Sequence, residues 1–237
     1  MLKAVFFDLD GTLLPFNEEV FIKTYSGLLT KYLLTHCEGY NTEEFLKVLW
    51  GGTKLMFMND GSKTNEEVFW DNFANHYGEE KLEDRKAFDR FYETDYHKIK
   101  EIMGIWEESP KIVKFCKENG LIAVLSTNPL FPEIATRVRM EHTGLHKEDF
   151  NFVTTMENSG LCKPNPMYFK WLLDKFNLKP EEVIVFGNNQ KEDADCANAI
   201  GIKTYLIDSE FLQRNGKQES YNIIKLEQVI DVIKSHM

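Results

Sequence analysis

Apolar positions follow two periods along the chain. Lys3-Ala4-Val5-Phe6-Phe7 is a short, largely apolar run that reads as a buried strand. Similar runs lie at 121–125, 152–155, 183–186 and 203–207. Helical spacing fills the gaps between them. Ser109, as N-cap with Pro110 behind it, opens a helix that Gly120 stops. Phe131-Pro132 opens another that Gly144 closes, and further helices begin near Pro166, run through Asp193 and Ala197 to Gly201, and span 226–233. Apolar strands alternating with helices predict a parallel sheet covered on both faces.

From about residue 14 to 106 no strand pattern is present. Asn17 caps a predicted helix in which Tyr25, Leu28, Leu29, Tyr32 and Leu33 recur at helical spacing. Asn41 to Glu44 and Thr64 to Glu67 each resemble a capping box. Phe69, Trp70, Phe73, Tyr77, Phe88, Phe91, Tyr92 and Tyr96 then read as the core of a helix bundle. The expected organisation is an α/β core from residues 1–14 and 107–237, with a helical insertion at 15–106.

Composition narrows the function without choosing it. A chain of 237 residues suffices for such a core plus one insertion. A formal net charge of −10 argues against a nucleic-acid backbone or an anionic membrane as the main partner. Cys37, Cys116, Cys162 and Cys196 are far apart, which predicts neither a disulfide framework nor a zinc site. No signal peptide or membrane span is apparent, so the expected location is the cytoplasm.

In open parallel sheets, ligands bind at the carboxyl ends of the strands. Those ends carry the polar residues here. Asp8 and Asp10 follow the first strand and share one side, with Leu9 between them, before Gly11 and Thr12. Thr127 and Asn128 follow the second strand, and Asn188 and Asn189 the fourth, while Lys163 lies in a loop that can reach the same edge. Two adjacent carboxylates stay ionised together only beside a cation. Asp8 can attack phosphorus, and Asp10 can protonate the leaving oxygen and later activate water. Thr127 and the backbone of the Asp8 to Thr12 turn can bind phosphoryl oxygens, and Lys163 supplies fixed positive charge. Mg²⁺ prefers oxygen ligands and bridges carboxylate to phosphate. Asp193 can complete the metal's shell. The six histidines show no metal spacing, and Cys162 lacks a histidine partner in the sequence.

With its Asp8-x-Asp10-Gly11-Thr12, Thr127-Asn128, Lys163-Pro164 and Gly187 with Asp193, taken in that order, the chain resembles the haloacid dehalogenase superfamily, most of whose members are Mg²⁺-dependent phosphatases. The resemblance covers about residues 1–14 and 107–208. It implies a Rossmann-like, doubly wound parallel sheet, with residues 15–106 as an inserted helical cap. It also implies an aspartyl-phosphate mechanism on a small phosphorylated metabolite, by a monomer or homodimer. The implied catalytic residues are Asp8, Asp10, Thr127 and Lys163, with Gly11, Thr12, Thr127, Asn128 and Lys163 at the substrate. The implied metal set is Asp8, Asp10 through its backbone carbonyl, Asn188, Asn189 and Asp193.

One departure bears on that set. The family places an acid one or two residues after the glycine of its fourth motif, and here both positions are asparagine. An amide oxygen ligates Mg²⁺ without adding charge, which leaves the third direct ligand open and asks Glu192 or Asp193 to compensate. It also keeps open a weakly active or inactive phosphate-binding protein on the same scaffold. A phosphosugar mutase is a further alternative, as is a phosphonate hydrolase with Lys23 or Lys54 as its Schiff-base lysine. A dehalogenase has little use for Asp10. Phe16, Phe57 and Met58 are candidate substrate contacts from the cap.

Overall fold

The computed structural model describes residues 1–216 and 220–237. Its centre is β1 (Ala4–Phe7), all four residues of which are fully buried. Side chains alternate across a strand, so β1 contributes to two cores. Val5 and Phe7 join one, with residues of α5 (Glu108–Glu118) and α9 (Val229–His236); Ala4 and Phe6 join the other, with residues of α7 (Met167–Phe176). The remaining strands are β2 (Ile122–Leu125), β3 (Phe152–Val153), β4 (Val183–Gly187), β5 (Lys203–Ile207) and β6 (Asn222–Ile224). They form one parallel sheet in the order β3-β2-β1-β4-β5-β6. The order reverses at β1, so the crevice between the ends of its flanking connections is the place for a ligand. Helix α6 (Glu133–His142) links β2 to β3, and a π-helical turn (Gln190–Asp195) running into α8 (Cys196–Asn198) links β4 to β5.

The strands at 4–7, 122–125, 152–153, 183–187 and 203–207 lie where the apolar runs predict them. β6 is an addition: Asn222 and Ile223 are exposed, and so short an edge strand has no buried alternation to announce it. Ser109 departs from its predicted role. The helix starts at Glu108, and the buried Ser109 hydroxyl instead donates to the carbonyl of Leu13 at 2.6 Å, tying the start of α5 to the end of the first motif.

Between β1 and α5 no strand occurs among the described residues. The chain forms α1 (Glu18–His36), α2 (Thr42–Phe57), α3 (Asn65–Tyr77) and α4 (Arg85–Glu93), followed by a 3-10 segment at Asp95–Ile102. Asn17 caps α1 through the Val20 amide, and Thr64 and Glu67 complete a capping box on α3. The aromatic residues of this layer fill a core of their own, which also takes in Ala135 and Val138 of α6. The start of α3 is bonded to the sheet-bearing part. The amides of Asn65 and Glu66 donate to the carbonyls of Ser159 and Met156, and the buried Asn65 side chain donates to the carbonyl of Pro129 at 2.9 Å. No helix among the described residues is long and apolar enough to cross a membrane.

Candidate active site

A cavity of about 260 Å³ lies between the strand ends and the helical layer. Asp8, Asp10, Thr127, Asn128, Lys163, Asn188, Asn189 and Asp193 all line it, although they come from four separate parts of the chain. Gly11 and Thr12 are off the lining.

Lys163 holds the site together. Its ammonium is buried, 2.9 Å from Asp8 Oδ1 and 2.6 Å from Asp193 Oδ1. Burial alone would lower its pKa, but Asp193 and Asp8 more than reverse that and hold it well above the usual lysine range. The other Asp8 oxygen accepts from Thr12 Oγ1 at 3.2 Å. Burial pushes the Asp8 carboxyl up to about 7, with Lys163 pulling it back and Asp193 and Asp10 adding to the rise. One lysine shared between Asp8 and Asp193, with Asp10 nearby, leaves the site short of positive charge.

The residues after β4 separate into different tasks. Asp193 is buried, and its Oδ2 accepts the amides of Asn188 and Asn189, each at 3.0 Å. With Oδ1 on Lys163, both of its oxygens are engaged. Gly187 makes this approach possible, because a Cβ there would sit 2.2 Å from Asp193 Oδ2. Asn189 caps the π-helical turn, its Oδ1 accepting from the amides of Lys191 and Glu192 while its Nδ2 donates to Gln213. Asn188 alone turns its amide oxygen toward the first motif. Its Nδ2 is held by the carbonyl of Phe211 at 2.8 Å, which aims Oδ1 at Thr12 Oγ1, 3.4 Å away. Gly11, at φ +84°, lets the turn come that close: a Cβ there would lie 2.1 Å from Asn188 Nδ2.

The second-strand residues also divide. Thr127 is buried on the floor, and its carbonyl accepts from Thr154 Oγ1 and the Tyr168 hydroxyl. The Ser126 hydroxyl turns away to the carbonyl of Phe7, as strand alternation requires. The Asn128 side chain is occupied in bracing: it accepts from the Lys163 amide and donates to Glu192 Oε2 at 2.7 Å. Burial pushes the Glu192 carboxyl up to about 7.

One residue of the site escaped the sequence reading. Arg139, from α6, is 1% exposed and places Nε 3.3 Å from Asp10 Oδ1. Its Nη1 donates to the Tyr96 hydroxyl at 2.9 Å, and its guanidinium lies over the Phe131 ring at 4.7 Å. Burial raises the Asp10 pKa, and Arg139 is the main influence lowering it. A signal did exist. Arg139 lies four residues after Ala135, on the apolar face of α6, where a charge needs a buried partner. Of the candidate substrate contacts, Phe16 and Phe57 line the cavity and Met58 does not, being 69% exposed. Lys23 and Lys54 are exposed and off the lining.

No group of three or more His, Cys, Asp and Glu side chains is arranged to hold a metal ion among the described residues. Oxygen donors of the kind Mg²⁺ takes are nevertheless gathered here: the Asp8 carboxylate and the Asn188 amide oxygen, both within reach of Thr12 Oγ1. With the raised Asp8 pKa, this donor set fits a divalent cation.

The family model for haloacid dehalogenase-like hydrolases matches residues 2–201. The chain belongs to this family of hydrolases. It is 24% identical to the glyceraldehyde 3-phosphate phosphatase of Methanocaldococcus jannaschii, across 99% of this chain and 98% of the relative. It is 26% identical to the pyrophosphatase PpaX of Bacillus mycoides, across 87% and 83% of the two chains. Among solved structures, a 2-haloacid dehalogenase from Pseudomonas syringae matches with TM-score 0.67 at 15% identity, covering 100% of both chains. A haloacid dehalogenase-type phosphatase from Thermococcus onnurineus matches with TM-score 0.58 at 19% identity over 98% of each chain. At these identities the structures bear on the fold alone.

Proposed function

We propose that this hydrolase is a Mg²⁺-dependent phosphomonoesterase that acts on a small phosphorylated metabolite through an aspartyl-phosphate on Asp8. The observation that carries the reading is the pairing of Asp8, held between Lys163 and Thr12, with Asp10 beside it on the floor of one cavity. The phosphatase names of its relatives favour the same reading.

In the first step an Asp8 oxygen forms a bond to phosphorus as the bond to the leaving oxygen breaks, and Asp10 gives that oxygen its proton. In the second, water attacks the phosphoryl group, Asp10 takes the water proton, and Asp8 is released as a carboxylate. Arg139 orients the Asp10 carboxyl for both transfers. Lys163 and Thr127 face the phosphoryl oxygens, and Asn128 and Asp193 hold Lys163 in place. Asp8, the Asp10 backbone carbonyl and Asn188 Oδ1 would hold Mg²⁺, with Asp193 bracing the loop rather than ligating. Bound there, the cation supplies the positive charge that the carboxylates and the transferring group together require. The helical layer, residues 15–106, acts as a cap that excludes water from the cavity.

The test is phosphate release from a panel of phosphorylated metabolites with Mg²⁺, then with chelator, alongside Asp8→Asn. Release is expected to vanish with chelator and with the variant. Multiple turnovers in ¹⁸O-water are expected to label the released phosphate and to leave the Asp8 side chain unlabelled, because the second attack is at phosphorus and not at the carboxyl carbon. Release that persists in Asp8→Asn overturns the reading, and binding without turnover at any Mg²⁺ concentration would favour the inactive phosphate-binding scaffold.

A further inference from the structure

The cavity floor is polar, but its walls are not. Phe21, Trp50, Met56, Phe69, Trp70 and Phe131 supply aromatic and apolar surface from α1, α2, α3 and the loop before α6. Beyond the floor residues and Glu192, which Asn128 holds, the charged side chains of the lining are Glu18, Glu66, Asp89 and Glu157. All four are carboxylates. Among the described residues, Lys163 is the one basic side chain on the lining, and Asp8 and Asp193 already engage it.

The neighbouring arginines are turned to other tasks. Arg139 is off the lining and is taken by Asp10 and Tyr96. Arg85 is off it too, stacked over Trp70 at 4.6 Å and 3.8 Å from Glu66. Glu66 and Asp89 are themselves held above the usual carboxylate range, first by burial and further by neighbouring acids.

A leaving group that carried a carboxylate or a second phosphate would give up its hydration here and meet no counter-charge. It would face like charges instead. An apolar alcohol gains from burial against the same walls. We infer that the substrate is a phosphate monoester of an apolar alcohol, aromatic or branched alkyl, that carries no second anionic group. This rests on the phosphomonoesterase reading of the floor.

The test compares kcat/KM for 2-phenylethyl phosphate, 3-methylbutyl phosphate and 2-carboxyethyl phosphate, the last two being nearly isosteric, with pyrophosphate as a doubly anionic probe. Acetyl phosphate, reactive and small enough to need no wall contact, serves as control with Asp8→Asn. The two apolar esters are expected to exceed 2-carboxyethyl phosphate and pyrophosphate by about a hundredfold, the scale on which a pocket rejects a mismatched group. Asp8-dependent turnover of acetyl phosphate together with equal or better turnover of the anionic probes overturns the inference and leaves the phosphatase reading intact. No turnover of any compound, acetyl phosphate included, overturns the phosphatase reading and the inference with it. Glu66→Lys, which gives the wall a cation, is expected to narrow the gap about tenfold; a gap unchanged in that variant also overturns the inference.

Discussion

Replacing Arg139 is the sharpest test of how the site is built. Methionine keeps the unbranched apolar stem while removing the guanidinium and its charge. Three interactions go with the guanidinium: the ion pair to Asp10 at 3.3 Å, the hydrogen bond to the Tyr96 hydroxyl at 2.9 Å, and the stacking on Phe131. Removing one partner of a fully buried pair costs about 3–5 kcal/mol, mostly because the other charge is stranded. The Asp10 side chain is 21% exposed toward the cavity, so water can recover part of that cost. We therefore expect Arg139→Met to lose about 3 kcal/mol, at the low end of that range. For a chain of this size that is a drop of roughly 6–12 °C in Tm.

The assay is denaturant unfolding of the wild type, Arg139→Met, Asp10→Asn and the double variant. Each single change strands one buried charge, whereas the double change strands neither charge and leaves the loss at the Tyr96 hydroxyl common to both Arg139 variants. The double variant should thus be more stable than the sum of the singles predicts, by about 1–3 kcal/mol. Additive losses within about 0.5 kcal/mol would refute the pairing. An Arg139→Met variant as stable as the wild type would refute the argument that the charge is buried and used.

Three further outcomes follow from the geometry. Gly187→Ala puts a Cβ 2.2 Å from Asp193 Oδ2, so it should displace Asp193 from Lys163 and abolish turnover, with a loss of several degrees in Tm that calorimetry would read. Asp8 has its pKa raised to about 7, so its contribution to stability is fully present below the ordinary carboxylate value of 3.8 and is lost as pH rises through about 7. Mg²⁺ should offset that loss, giving a larger Tm increase at pH 8 than at pH 5, and a pH-independent increase would count against a cation at Asp8. Asn188→Asp should lower the Mg²⁺ concentration for half-maximal activity about tenfold or more, whereas Asn189→Asp should leave it unchanged, because Asn189 is committed to capping the turn.

The sheet and the floor of the site were legible because short-range patterns carry them. The run from Ala4 to Phe7 is buried on both faces and therefore apolar at every position, and the polar residues that follow each such run mark one edge. Those patterns stop at residue type. Nothing local distinguishes Asn188 from Asn189, since both are amides after one strand. The choice is made by the chain some twenty residues later, where the Phe211 carbonyl takes the Asn188 amide nitrogen and Gln213 takes that of Asn189. The same holds for Arg139. Its helix shows a charge on an apolar face, but only the packing of Tyr96 and Asp10 against that face gives the charge a purpose. The proposed metal site would take an oxygen from Asn188 without added charge, while Arg139 gives Asp10 a cation that the four motifs do not contain. On the proposed reading, the acid missing from the fourth motif and the Arg139 cation beside Asp10 act on the same charge balance. Combining Asn188→Asp with Arg139→Met would then shift Mg²⁺ affinity further than Asn188→Asp alone, because each change makes the floor more negative.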